Sequence, residues 1–285
     1  MIHAAFSSDI GPSLLDNANI QFLLASRTRS NTCLYTQCYF DWDDESTYGN
    51  PFHQTLVNGL GQISAAYIVA PPVLDIVPHV IKFIDFARTK TIKRIVFVSA
   101  SILEKGGEQM GQVHEYLDSL SGELEWTVLR PTWFMENFSE DPRFTETIKT
   151  KRIIYTSAGN GKIPFVSVDD IARVAFRSLT DKKAHNTDHV LLGPQSISHD
   201  QVAEILTQTM GFKVTHINLP PKDLVRHLVE DLGMDTEWAQ MTADMDDSII
   251  KPGLEDRLNH AIKNVTGVPP RTFREFCQTS RNVWI

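Results

Sequence analysis

The sequence lacks three features that would each point to a particular class of protein. No segment approaches the roughly 20 consecutive apolar residues of a membrane-spanning helix, and the first residues carry neither the basic nor the apolar stretch of a secretory signal. Basic residues are outnumbered, 27 against 35 acidic ones, and the formal net charge of −8 disfavours nucleic acid or an anionic membrane as a partner. The three cysteines, Cys33, Cys38 and Cys277, are too few for a disulfide framework or a zinc site. We therefore expect a cytoplasmic protein with reduced thiols, no metal, and no nucleic-acid or membrane partner.

Short apolar runs alternate with segments of helical periodicity along much of the chain. Runs of strand length occupy residues 21–26, 63–70, 94–99, 124–129 and 163–168, and helical spacing occupies residues 77–90 and 107–120. Residues 14–18 are predicted to be the end of a first helix. Strands and helices that alternate in this way favour a parallel, doubly wound sheet with right-handed crossovers. Further along, Ser198 and Asp200 are placed to cap a helix at 201–210, and the sequence after them is mostly helical.

These elements predict an α/β fold, a Rossmann-like doubly wound parallel sheet with a small, mostly helical C-terminal lobe. We place the Rossmann-like core in residues 1–138, with a degenerate first strand, and the remaining core elements and the substrate-binding lobe in residues 139–285. The core lacks the glycine-rich turn that normally follows the first strand, because the first twelve residues contain only Gly11. In that turn the missing Cβ atoms let backbone N–H groups reach the pyrophosphate of a dinucleotide. The sequence therefore leaves open a hydride-transferring reductase and a cofactor-free enzyme on a reductase scaffold.

Several blocks of sequence, taken together and in order, resemble one family. They are residues 40–47, 98–101, 110–120, 128–138, 158–165 and 169–176. The resemblance is to the NmrA-like branch of the atypical short-chain dehydrogenases, and within it to the fungal festuclavine and agroclavine dehydrogenases of ergot alkaloid biosynthesis. It implies a fungal enzyme of secondary metabolism that reduces an iminium ion with NADPH. The glycine-rich turn of that family falls on about residues 2–7 here, where Ile2, His3 and Ala5 replace glycines.

Three residues would contact NADPH if the cofactor site is retained. Arg27 and Arg29 follow the second strand, where NADP-dependent relatives often hold the 2′-phosphate. Pro71 lies in the loop that would face the nicotinamide. We expect, however, that no cofactor binds, because arginines at the adenosine end do not replace the backbone N–H groups that the pyrophosphate needs.

The residues that could carry the chemistry follow the predicted strands or lie on the next helix. Ordinary short-chain dehydrogenases have a Tyr-x-x-x-Lys pair, and Met110 and His114 stand four apart on the corresponding helix instead. His114 is a candidate acid or base near neutral pH, Asp118 could orient it, and Glu136 is a candidate acid or partner for a cationic nitrogen. The residues that could bind the substrate are Ser99, Trp133, Asn137 and Tyr155, with Glu104 at the rim.

Three functions are compatible with these observations. The first is a cofactor-independent, acid-assisted isomerase or cyclase acting on a small alkaloid, for example by epoxide opening or cationic rearrangement. The second is an NADPH-dependent reductase of an iminium or enone intermediate, and the third is a non-catalytic NmrA-like regulator. Because the glycine-rich turn is missing, the isomerase is the leading function. A longer native N-terminus that carries the turn would make the reductase the leading function. The oligomeric state stays open.

Overall fold

The computed structural model describes residues 20–28, 35–59 and 61–285, and within these ranges the predicted Rossmann-like α/β fold is confirmed. The described residues form two compact units. The first unit runs to Arg130 and also contains Ala172–Val190, and the second contains Pro131–Ile171 and Leu191–Ile285. The division into domains at residue 138 stays a prediction.

The first unit is built on parallel strands. β1 (Leu23–Ser26) pairs in parallel with β2 (Thr36–Tyr39), and a second sheet has the strand order β3 (Ala65–Val69), β4 (Arg94–Val98), β5 (Glu125–Pro131) and β8 (Thr187–Leu191). Both β3 and β5 are parallel to β4. The helices of this unit are α1 (Asn50–Val57), α2 (Val77–Arg88) and α3 (Met110–Ser119). In β4 the side chains of Ile95, Val96 and Phe97 are all fully buried, because both faces of a parallel sheet are covered.

The second unit is mostly helical. Its helices are α4 (Asn137–Glu140), α5 (Pro142–Lys151), α7 (His199–Met210), α8 (Pro221–Glu230), α9 (Thr236–Met245), α10 (Ala261–Thr266) and α11 (Phe273–Ser280), and a π-helical turn spans Asp246–Ile250. Its strands are β6 (Ile153–Thr156), β7 (Lys162–Ile163), β9 (Ile197–Ser198) and β10 (Thr215–Asn218). Helix α6 (Val168–Thr180) begins in this unit and ends in the first. Buried aromatic side chains form the core of the second unit, among them Phe138 and Trp284. The Trp284 Nε1 donates to the Phe138 carbonyl at 2.7 Å.

Local sequence signals account for several of the helix and strand boundaries. The predicted cap at Ser198 is confirmed as a capping box, in which Ser198 and Gln201 each accept a hydrogen bond from the other's backbone N–H. The strand predicted for residues 163–168 is wrong over most of its length, because β7 ends at Ile163 and α6 begins at Val168. The helix end predicted for residues 14–18 lies outside the described residues. Among the described helices, none is long and apolar enough to cross a membrane.

Candidate functional site

The carboxyl end of β1 carries an exposed arginine. Strand β1 ends at Ser26, and the Thr28 N–H donates to Ser26 Oγ at 3.1 Å, which closes a turn around Arg27. Both Arg27 and Thr28 are exposed. An exposed guanidinium after a strand, at the carboxyl edge of a parallel sheet, fits the 2′-phosphate of NADPH. The other predicted phosphate ligand, Arg29, lies outside the described residues.

The ends of β3 and β4 supply two further predicted residues. Pro71 is buried just beyond the end of β3. Ser99 follows β4 and is 5 % exposed, and its Oγ has no hydrogen-bond partner among the described residues. A buried hydroxyl without a partner costs free energy unless a ligand or water satisfies it. Arg27 is therefore placed to bind the 2′-phosphate of a dinucleotide. Ser99 supplies a hydroxyl that could bind a ligand.

The helix α3 places His114 in the interior of the first unit. Its ring packs against Trp126 with 5.5 Å between centroids, and burial lowers the pKa of His114, so the imidazole is neutral at pH 7. Its Nδ1 has no hydrogen-bond partner among the described residues. The Asp118 carboxylate accepts from Lys105 Nζ at 2.7 Å instead of bonding to His114. The role of His114 as an acid or base stays a prediction, and the structure does not show the orienting contact predicted for Asp118.

A buried arginine at the end of β5 was missed as a site residue. Arg130 is 4 % exposed and donates to Asp188 Oδ2 at 2.7 Å, to the Ser101 carbonyl at 2.9 Å and to Glu104 Oε1 at 2.5 Å. These bonds tie the loop after β4 to β5 and β8. The sequence does contain a signal for this residue, since Arg130 lies inside the apolar run V-L-R-P. A charged side chain in a buried strand needs hydrogen-bond acceptors, which indicates a buried polar cluster.

Three of the predicted substrate-binding residues meet in one cleft of the second unit. Trp133, Asn137 and Tyr155 line a space whose room for a water-sized group is about 20 Å³, enough for about one water molecule and well below the size of a small-molecule site. The other residues of its wall are mainly aromatic and aliphatic, with two charged side chains and one histidine: Phe138, Arg143, Phe144, Thr156, Phe165, His199, Leu224, Leu228, Thr242, Asp246 and Ile250. We call this space the second-unit cleft.

The second-unit cleft contains two buried titratable groups that the sequence analysis did not identify. Asp246 begins the π-helical turn, is 8 % exposed and accepts from the Ser157 N–H at 2.9 Å, and burial raises its pKa to about 6. His199 is 3 % exposed, burial lowers its pKa to about 3, and its Nδ1 has no partner among the described residues. Asp246 lies in the acidic stretch D-M-D-D, so nothing local distinguishes it from the half-buried Asp247.

Glu136 lies in the second unit but not in the wall of the cleft. Its Oε1 accepts from Ser167 Oγ at 2.8 Å and its Oε2 accepts from the Val168 N–H at 2.8 Å. Oε2 therefore satisfies one N–H group of the first turn of α6, which has no partner within the helix, and Oε1 holds the hydroxyl of the preceding Ser167. Burial raises the pKa of Glu136 to about 7, against the opposing effect of these hydrogen bonds. A catalytic role for Glu136 stays a prediction.

Comparison with known proteins decides the family. The NmrA-like family matches residues 41–277. The chain belongs to the NmrA-like family. It is 47 % identical over 272 residues to festuclavine synthase II of Penicillium roqueforti, with 95 % of this chain and 94 % of that protein covered. It is also 44 % identical over 274 residues to agroclavine dehydrogenase of Claviceps fusiformis, with 96 % and 93 % covered.

Solved structures share the fold of this NmrA-like protein at low sequence identity. The NADPH-dependent quinone oxidoreductase of Escherichia coli, complexed with NADPH, superposes with a TM-score of 0.75 at 20 % identity and covers 98 % of each chain. The triphenylmethane reductase of Citrobacter sp., complexed with NADP(H), also gives a TM-score of 0.75, at 18 % identity over 97 % of this chain and 98 % of that one.

These findings correct two predictions about this NmrA-like protein. The cofactor-independent isomerase or cyclase is wrong as the leading function, because relatives at 44–47 % identity are named as festuclavine synthase and agroclavine dehydrogenase. The expected absence of a cofactor is also contradicted, because the relative at 44 % identity is named as a dehydrogenase, an enzyme of redox chemistry. The names of these relatives favour the reductase, the second of the three functions, over the isomerase.

Proposed function

We propose that this protein is an NADPH-dependent reductase of an iminium or enone intermediate in ergot-type alkaloid biosynthesis. The observation that carries the proposal is the identity of 47 % and 44 %, over nearly the whole chain, to a festuclavine synthase and an agroclavine dehydrogenase. The substrate is a small alkaloid.

The residues at the strand ends support binding of the cofactor. Arg27, exposed after β1, would bind the 2′-phosphate, and the unpartnered hydroxyl of Ser99, after β4, would hydrogen-bond to the cofactor or the substrate. Arg130 holds the loop after β4 through the Ser101 carbonyl, which keeps this edge of the sheet in place. When bound, NADPH supplies a hydride.

The chemistry of an iminium substrate explains why the usual proton donor is absent. When hydride adds to the iminium carbon, the electron pair of the C=N bond moves to nitrogen, so no oxyanion forms and no proton has to be delivered. Met110 and His114 stand where a Tyr-x-x-x-Lys pair would stand, and His114 is buried and neutral. For an enone the product enolate would need a proton, which makes the iminium the better substrate for these residues.

The test is cofactor binding and turnover with an Arg27→Ala variant. We expect wild-type protein to bind NADPH with micromolar affinity in titration calorimetry and to oxidise it when an ergoline iminium is supplied. Arg27→Ala should weaken NADPH binding by about tenfold to a hundredfold, the effect of one charged hydrogen bond, and leave NADH binding unchanged.

Arg281→Ala, which removes an exposed arginine of the second unit, is the matched control and should behave as the wild type. Failure of wild-type protein to bind either cofactor at millimolar concentration would reject the reductase. Equal weakening of NADPH and NADH by Arg27→Ala would reject the 2′-phosphate contact.

A further inference from the structure

We propose that Asn58 is a site of spontaneous deamidation, at which the side-chain amide is converted to aspartate and isoaspartate. The sequence contains two Asn-Gly pairs, Asn58-Gly59 and Asn160-Gly161. A glycine after the asparagine hinders this reaction least, because no Cβ shields the backbone nitrogen that attacks. The structure exposes the first pair and encloses the glycine of the second, so the two pairs should react at different rates.

The reaction has two steps and consumes only water. The glycine backbone nitrogen attacks the side-chain carbonyl carbon of the asparagine, and the new C–N bond closes a five-membered succinimide ring. The side-chain nitrogen leaves as ammonia and takes the proton of the glycine N–H. Water then adds to one of the two ring carbonyls and opens the ring to aspartate or isoaspartate. A glycine N–H that already donates to an acceptor cannot attack until that hydrogen bond opens.

The first pair meets the requirements of this attack in the part of the chain that the structure describes. Asn58 and Gly59 are exposed in the turn that follows α1. The last hydrogen bond of the helical pattern runs from the Asn58 N–H to the Gln54 carbonyl at 3.1 Å, and the Gly59 N–H has no partner among the described residues. A Cβ placed on Gly59 would meet no described atom within 4 Å, so the backbone has room to rotate towards the Asn58 side chain.

The second pair is protected at its glycine. Asn160 is exposed, but Gly161 is buried and its N–H donates to the Ala158 carbonyl at 3.0 Å. The Ile250 carbonyl occupies the space that a Cβ on Gly161 would fill, so this backbone cannot rotate without moving its neighbour. Attack at Asn160 therefore requires local opening of the turn, which lowers its rate by the population of the open state.

The experiment is a time course on the full-length protein at pH 8, followed by peptide mapping with mass spectrometry, which detects the replacement of ammonia by water. We expect Asn58 in the folded protein to deamidate at least about tenfold faster than Asn160, because Asn160 reacts only from an open state. In concentrated urea the two residues should react at similar rates, because both are then followed by an unprotected glycine.

Two variants identify the residue that is modified. Deamidation adds one negative charge, so ion-exchange chromatography separates the product as an acidic species. Asn58→Gln keeps an amide, but its longer side chain cannot close the five-membered ring, so the main acidic species should not accumulate. Asn160→Gln is the matched control and should accumulate it as the wild type does.

Equal rates at Asn58 and Asn160 in the folded wild type would overturn the proposal, and this comparison needs no variant to fold. A rate at Asn58 that increases in urea by as much as the rate at Asn160 would also overturn it, because the turn after α1 would then protect its own glycine N–H. Accumulation of the same acidic species in Asn58→Gln would place the modification at another residue and reject Asn58.

Discussion

The buried cluster around Arg130 gives a sharp test of how burial sets the strength of an ion pair. Arg130 and Arg88 each approach a carboxylate to 2.5 Å, Arg130 with Glu104 and Arg88 with Glu123. The Arg130 side chain is 5 % exposed and the Arg88 side chain 31 %. We replace each arginine by methionine, which approximates the aliphatic part of the side chain and removes its charge.

Removing one partner of a buried ion pair typically costs about 3–5 kcal/mol, because the other charge stays desolvated. The carboxylates of Arg130 are only partly buried, Asp188 with 31 % and Glu104 with 73 % of the side chain exposed, so they recover some hydration. We therefore expect Arg130→Met to lower the free energy of unfolding by about 2–4 kcal/mol. Arg88→Met should lower it by less than about 1 kcal/mol, as for other exposed pairs.

The measurement is urea unfolding of the three proteins, followed by circular dichroism at pH 7 and constant ionic strength. Similar losses in the two variants would refute the argument that burial decides the effect. A loss below about 1 kcal/mol in Arg130→Met would show that the three bonds of Arg130 contribute little net stability.

Two further predictions concern α6 and α7. Burial raises the pKa of Glu136 from its ordinary 4.5 to about 7, so the protonated side chain adds stability that is present below pH 4.5 and lost as the pH rises through about 7. Between pH 5 and pH 8, the free energy of unfolding measured in urea should fall by about 1–3 kcal/mol more in the wild type than in Glu136→Gln. An equal fall in the two proteins would contradict the raised pKa. Ser198→Ala removes the capping box of α7 and should cost about 1 kcal/mol by the same method, whereas an unchanged midpoint would show that the cap does not stabilise the helix.

Hydrophobic periodicity determined the fold class because it acts within each segment. Residues 95–98 are apolar at every position, which favours a strand in a sheet covered on both faces, and the structure places them in β4. The cap at Ser198 is also local, since its partner Gln201 is three residues away. The strand expected at 163–168 failed because the Glu136 carboxylate, distant in sequence, accepts from Val168 and allows a helix to begin there.

The blocks of sequence that resemble the NmrA-like family also identified the family from the chain alone. They did not identify the cofactor, because the glycine-rich turn is missing and the other candidate ligands, Arg27 and Ser99, follow different strands. The tertiary structure decided which polar groups share a cleft. Asp246, His199 and Tyr155 line the same space because a π-helical turn, α7 and β6 lie side by side. The spacing of these residues along the chain does not predict this arrangement. The pKa values of Asp246 and His199 shift for the same reason, since burial is a property of the folded environment and not of the residue.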